Sequence, residues 1–195
     1  MQGKTHMIIG AAASVTTALK YPIESGIILI TASVIGALLP DLDHPNSKIN
    51  QSILFFNNKK FMMYLFFTVG LGLIVYDLRV DNNIYSLLGV SLIITSLSGH
   101  RSFTHSIVGI GLFSTVAYLF SEKYGIPEIW IGFTLGYISH LVADFFTVAG
   151  IQLFFPVEKR VKFPINIKTG SMAENVLLLM LTVYIGYVMF KFPII

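Results

Sequence analysis

Seven apolar stretches alternate with polar breaks along the chain, and each reads as a helix. They run from about Thr5 to Leu19, Ile23 to Leu39, Met62 to Leu78, Ile84 to Ser98, Ile107 to Phe120, Ile129 to Gly150 and Val176 to Phe190. The breaks carry helix-stopping chemistry: Lys20-Tyr21-Pro22, Pro40, the turn from Arg79 to Asn83, and Glu122 to Pro127. The first stretch is rich in Ala, Gly, Ser and Thr, as suits a helix packed tightly inside a bundle. Several stretches hold only 14–17 residues, against about 20 for a full bilayer crossing, so flanking residues must extend them or some helices are half-buried.

Composition fixes the class. The chain is 54% hydrophobic and 12% charged, with mean hydropathy +0.75, whereas a soluble domain carries about 25% charged residues. The expectation is an all-α, polytopic membrane bundle of about seven hydrophobic helices, with residues 1–195 forming one domain. There is no internal repeat. The run Met7-Ile8-Ile9 is too short for a signal-peptide core, so the N-terminus reads as retained. No cysteine is present, which excludes disulfides and thiolate metal sites. The net charge of +3 comes without a basic run interleaved with aromatics, so no nucleic-acid partner is expected.

Charge also orients the chain. If every stretch crosses once, Lys4, Lys48, Lys59, Lys60, Arg101, Lys159, Arg160, Lys162 and Lys168 share one side, and Lys20, Arg79, Lys123 and Lys191 the other. The nine-to-four excess places the first side, and the N-terminus, in the cytoplasm of a cell whose inner membrane holds the protein as a multi-pass chain.

The same alternation gathers the chemistry at that face. All five histidines fall there: His6, His44, His100, His105 and His140. His140 and Asp144 are four apart, so on a helix they stack on one side, where an imidazole and a carboxylate can ligate one cation. Ionisable groups inside an apolar run are costly and mark function; the competing role is a His–Asp hydrogen bond that only fixes packing. Pro40-Asp41-Leu42-Asp43-His44-Pro45 sets two carboxylates and an imidazole between stiffening prolines, although a capped helix end would also use such a loop. His100-Arg101-Ser102-Phe103-Thr104-His105 adds two imidazoles and a guanidinium fork suited to phosphate, or to plain interfacial anchoring. Glu174 closes Ser171-Met172-Ala173-Glu174, which matches a capping box as well as it offers a ligand. Lys159, Arg160 and Lys162 mark the cytoplasmic surface and can attract anionic headgroups. His-Glu-x-x-His, a Walker loop, a dinucleotide fingerprint and Gly-x-Ser-x-Gly are all absent.

Thr5-His6, Leu39 to Pro45, His100 to Ser106, Gly136 to Asp144 and Thr169 to Glu174 together resemble the YdjM family, bacterial and archaeal inner-membrane proteins described as metal-dependent hydrolases. The resemblance covers nearly the whole chain. It implies a distant relation to zinc-dependent phospholipase C and the S1/P1 nucleases, hence a phospholipase C-like helical core with up to three metal ions. In those relatives a His-x-x-x-Asp pair on one helix ligates metal, as His140 and Asp144 would here, and the N-terminal amino group is also a ligand. Here Met1 lies five residues before His6. The relatives' second helical pair, His-x-x-x-Glu, has no counterpart in this chain.

The expected activity is phosphoester hydrolysis of a phospholipid or other lipid-linked phosphate at the membrane surface. Two or more divalent ions are expected, zinc first, with manganese or iron as alternatives. His6, Asp41, Asp43, His44, His100, His105, His140, Asp144 and Glu174 are the candidate ligands, Asp41 the candidate base or bridging carboxylate, and Arg101 the phosphate holder. A metal-stabilised scaffold or regulator without catalysis uses the same ligand types. A metal-ion transporter is a third class, disfavoured because the helix middles lack a polar path.

Overall fold

The structure, a computed structural model, describes residues 1–43, 59–99 and 101–192. Seven α-helices occur among the described residues: α1 (Gly3–Ala18), α2 (Ile23–Leu38), α3 (Lys59–Val80), α4 (Ile84–Leu97), α5 (Ile107–Tyr124), α6 (Pro127–Phe145) and α7 (Met172–Lys191). Two short 3₁₀ turns, Leu39–Asp43 and Phe103–His105, extend α2 and precede α5. No strand forms among the described residues, and only isolated bridges join Thr147 to Ile167 and Ile151 to Val161.

The centre of the bundle is α6 laid against α2 and α1. Small residues bring the backbones together. A Cβ on Gly132 would run into the carbonyl oxygen of Leu29, and one on Gly136 into that of Ser33. These glycines are one helical turn apart, so they open a single groove on α6 into which α2 sinks. Ser33 Oγ then donates to the Gly10 carbonyl at 2.7 Å, tying α1 to the same seam. Gly136→Ala should therefore destabilise the bundle by about 1–3 kcal/mol, the usual cost of overpacking. A thermal melt of the purified variant in detergent checks this, and an unchanged melting temperature would contradict the close approach.

Beside this seam, Phe103, Phe113, Tyr137, Leu141 and Ile151 pack as an apolar cluster between α5, α6 and the loops at one end. Helices α3 and α4 pair with each other, and α7 lies on α1. Leu179, Met180, Val183 and Phe190 of α7 all point outward, an arrangement that suits contact with lipid. Among the described residues, three segments are long and apolar enough to cross a membrane: Ile23–Leu42, Lys60–Val80 and Met172–Lys191. Helix α4 is apolar but spans 14 residues.

The expected boundaries shift where polar residues continue a helix. Helix α3 starts at Lys59 and takes in Lys60 and Arg79; long basic side chains such as those of Lys60 and Arg79 can run their stems along apolar surface while the charge stays in water. Helix α6 opens two residues earlier than its apolar run, on Pro127, a residue suited to the first helical position. It stops at Phe145 rather than Gly150, where Thr147 turns back and its Oγ1 donates to the Asp144 carbonyl at 2.7 Å.

Candidate metal centre

Four segments meet at one end of α6. Pro40 follows α2 and the chain tightens into a 3₁₀ turn, which leaves the Asp41 side chain at the bundle end, 19% exposed. Helix α1 brings His6, fully buried. Helix α6 presents His140 and Asp144 one turn apart, both fully buried. The loop before α5 brings Arg101 and His105. Arg101 sits at φ +62°, a left-handed conformation uncommon for residues with a Cβ. Tyr137 Oη donates to the Thr104 carbonyl at 2.7 Å, pinning the His105 turn to α6. Ser106 locks the turn's exit: its Oγ accepts from Gly109 N at 3.1 Å and donates to the Phe103 carbonyl at 2.7 Å.

The imidazoles are aimed inward. His140 Nδ1 lies 2.7 Å from the Ala37 carbonyl. A carbonyl can only accept, so Nδ1 carries the proton and the neutral ring offers its Nε2 lone pair to the centre. That Nε2 faces His105 Nε2 at 3.1 Å. The His6 ring stacks on His140 with centroids 3.8 Å apart, and its Nε2 lies 3.4 Å from Asp144 Oδ1. Asp41 Oδ1 is 3.8 Å from His105 Nε2 and 3.9 Å from His140 Nε2. Asp144 is the most heavily engaged group. The Met1 amino group reaches its Oδ1 at 2.6 Å, Arg101 Nη2 its Oδ2 at 2.9 Å, and His105 Nε2 stands 3.6 Å from Oδ2. Arg101 Nη1 also donates to Thr147 Oγ1 at 3.2 Å and to the Gly150 carbonyl at 3.4 Å.

The donor set fits a divalent ion. Asp41, His105, His140 and Asp144 each offer one atom, all within 4.8 Å of one another. Ligands bonded to tetrahedral zinc at about 2.0–2.1 Å stand roughly 3.3 Å apart, close to the 3.1 and 3.6 Å separations at His105. Both ring nitrogens of His6 are buried with no hydrogen-bond partner among the described residues, an arrangement that costs about 1–3 kcal/mol per orphaned group unless something else meets it. Two imidazoles and two carboxylates suit zinc, manganese or iron alike.

Glu174 stands outside this group and clasps the N-terminal segment. One oxygen accepts from Gln2 N at 2.7 Å and Thr5 Oγ1 at 2.8 Å; the other accepts from Gly170 N at 2.6 Å. Half of the capping box forms, since Ser171 Oγ accepts from Glu174 N at 3.4 Å, while the Glu174 carboxylate turns to α1 instead of to the Ser171 amide. Glu174→Ala would strand three amide and hydroxyl donors, and should lower stability by about 1–3 kcal/mol or more. Retained thermal stability in detergent would show that the clasp does not anchor the N-terminus. Asp43 lies in the 3₁₀ turn, with its side chain outside the described residues, as are His44 and His100.

The Met1 amino group joins the centre although the sequence offers only its distance from His6. Gln2 is extended, at φ −74° and ψ 148°, and that kink before α1 turns Met1 back towards Asp144.

The YdjM inner membrane protein family matches over residues 1–193. The uncharacterized protein YvsG of Bacillus subtilis is 33% identical over 195 residues, covering 97% of each chain. The inner membrane protein YdjM of Escherichia coli is 26% identical over 164 residues, covering 80% of this chain and 64% of that longer relative. No solved structure matches. With residues 1–193 matched, the chain belongs to the YdjM inner membrane protein family.

Proposed function

We propose that this protein is a membrane-bound, metal-dependent hydrolase that cleaves a phosphoester bond in a lipid or lipid-linked phosphate. The observation that carries the reading is the convergence of His105 and His140 with Asp41 and Asp144 at one helix end, beside a guanidinium. His105, His140, Asp144 and Asp41 would hold the ion, with His6 beside them, and a second ion would draw on the same pool of residues. When bound, such ions lower the pKa of a coordinated water and offset charge on phosphoryl oxygens.

The chain's own residues divide the remaining work. Asp41 is the one donor of the four that is partly open to solvent, so its carboxylate is placed to take the proton of the attacking water. Arg101 holds Asp144 through Nη2 and Thr147 and Gly150 through Nη1. Three of its five donors are thereby used, and the others can meet a phosphoryl oxygen. His140 is kept in one tautomer by Ala37. The distant kinship with zinc-dependent phospholipase C and S1/P1 nucleases belongs to this proposal. A screen of phosphodiester and phospholipid substrates presented in micelles, run with metal-loaded and chelator-stripped protein, tests it. Turnover that depends on metal supports the reading, and none on any substrate with metal bound would contradict it.

A second reading is a metal-stabilised scaffold. It is favoured by one observation: Asp144 already carries the Met1 amino group and Arg101, so its charge is matched without any reaction.

We further place the protein in the membrane with seven crossings, and the metal centre at the cytoplasmic face. The nine-to-four basic asymmetry supports this orientation. Since the chain has no cysteine, Asn50→Cys and Asp81→Cys should label from opposite sides of intact membrane vesicles. Asn50 lies outside the described residues, and the assay reads only its side. Labelling of both from one side would overturn the seven-crossing topology.

A further inference from the structure

A cavity of about 600 Å³ opens beside the metal centre, between the C-terminal end of α4 and the segment that follows α6. That volume falls within the range of small-molecule pockets, roughly 300–1,000 Å³. One wall is apolar, built from Ile94, Leu97 and Phe155. The lining also includes Ser102, Gln152, Glu158 and Arg160. Among the described residues, a carboxylate and a guanidinium thus share one cavity with apolar side chains.

The cavity and the centre are two faces of one loop. Arg101 turns its side chain to Asp144, and the next residue, Ser102, lines the cavity. Gln152 N donates to the Arg101 carbonyl at 3.2 Å. Val161 and Ile151 exchange backbone hydrogen bonds of 2.8 and 3.0 Å, so the segment bearing Glu158 and Arg160 is tied to the segment bearing Gln152. Leu97, which lines the cavity, is itself exposed, as are Phe154 and Val157 in the chain segment that also carries Phe155 and Glu158.

We propose that this cavity seats the headgroup of a zwitterionic phospholipid, with the phosphate at Arg160, the ammonium at Glu158 and the first part of the acyl chain against Ile94, Leu97 and Phe155. Guanidinium and carboxylate match the two charges of such a head, and charge-assisted hydrogen bonds set its orientation. The apolar wall selects an esterified chain over a free phosphate. The seat lies on the cavity side of the Arg101–Ser102 loop, apart from the phosphoryl position proposed beside Arg101, so it is a lipid-binding site next to the centre and the binding it describes involves no turnover.

Gly99 gives a clean means of closing the cavity. It lines the space, and a Cβ there meets nothing within 4 Å, so Gly99→Leu should fill the mouth without displacing the fold. Full-length protein in a nonionic detergent would be titrated with 1-oleoyl-lysophosphatidylethanolamine, and bound lipid counted by native mass spectrometry, with metal content measured on the same samples. The wild type should take up one lipid saturably and prefer it by about tenfold over 1-oleoyl-lysophosphatidylglycerol, which has the same phosphate and chain but no ammonium. Gly99→Leu should weaken both by about tenfold or more, and Glu158→Gln should abolish the preference while leaving lysophosphatidylglycerol binding unchanged. Metal content should stay at the wild-type level throughout. Glycerophosphoethanolamine, the head without a chain, should bind far more weakly; binding as tight as the lipid's would assign a soluble ligand and overturn the lipid proposal. Equal binding by wild type and Gly99→Leu would overturn the cavity itself, and so would a wild type without headgroup preference. Neither result would bear on hydrolysis, and a failed hydrolysis assay would leave this binding result standing.

Discussion

Asp41→Asn should lower turnover of a micelle-presented phosphodiester by about 10²–10⁴-fold, the usual contribution of a general acid or base. The substitution keeps the side chain's shape and removes its charge. Asp41 is the partly exposed member of the donor group, 3.8 and 3.9 Å from the two imidazole nitrogens. If it acts only as a base, metal content should stay near the wild-type level while turnover falls. If it bridges ions, both should fall, so rate and metal measured on one sample separate the roles. Asp43→Asn is the comparison, since Asp43 shares the 3₁₀ turn. Equal turnover of wild type and Asp41→Asn with metal intact would remove Asp41 from the mechanism and favour the scaffold reading.

His140→Ala should have the largest effect on metal. It removes the ring that α2 orients through the Ala37 carbonyl and that both His6 and His105 contact. Losing only an outer-shell partner typically costs about 10–100-fold in affinity, and a ligand itself should cost at least that much. Metal content of the purified variant, with affinity from competition against a chelator, checks this. His105→Ala should behave alike, because its Nε2 faces the same point. Wild-type metal content in both variants would show that metal, if present, is held elsewhere.

Much of the fold could be read from the chain because the physics is local. Each apolar stretch became a helix, and Pro22, Pro40 and Pro127 stand at helix boundaries. The four-residue spacing of His140 and Asp144 carried directly onto α6, as helical geometry requires. What could not be read depends on contacts between distant residues. Glu174 looks from its spacing like a cap or a ligand, yet the side chain reaches Gln2 and Thr5 across about 170 positions of sequence. The Met1 amino group gains its place only because α1 docks beside α6. Gly132 and Gly136 carry a small-residue signal whose meaning appears only once α2 lies against them. Arg101 reads as a phosphate fork from composition, but its left-handed backbone turns it onto Asp144 first. The remaining members of the expected cluster, His44 and His100, lie outside the described residues.

The central claim is that the buried histidines and carboxylates form a metal centre, and elemental analysis of the detergent-purified wild type tests it most directly. The account predicts at least one transition-metal ion per chain after gentle purification. It also predicts that chelator-stripped protein regains metal and melts at a higher temperature when zinc or manganese is returned, because a ligand that binds only the folded state stabilises it. Protein that carries no transition metal, and whose melting temperature neither ion changes, would contradict it.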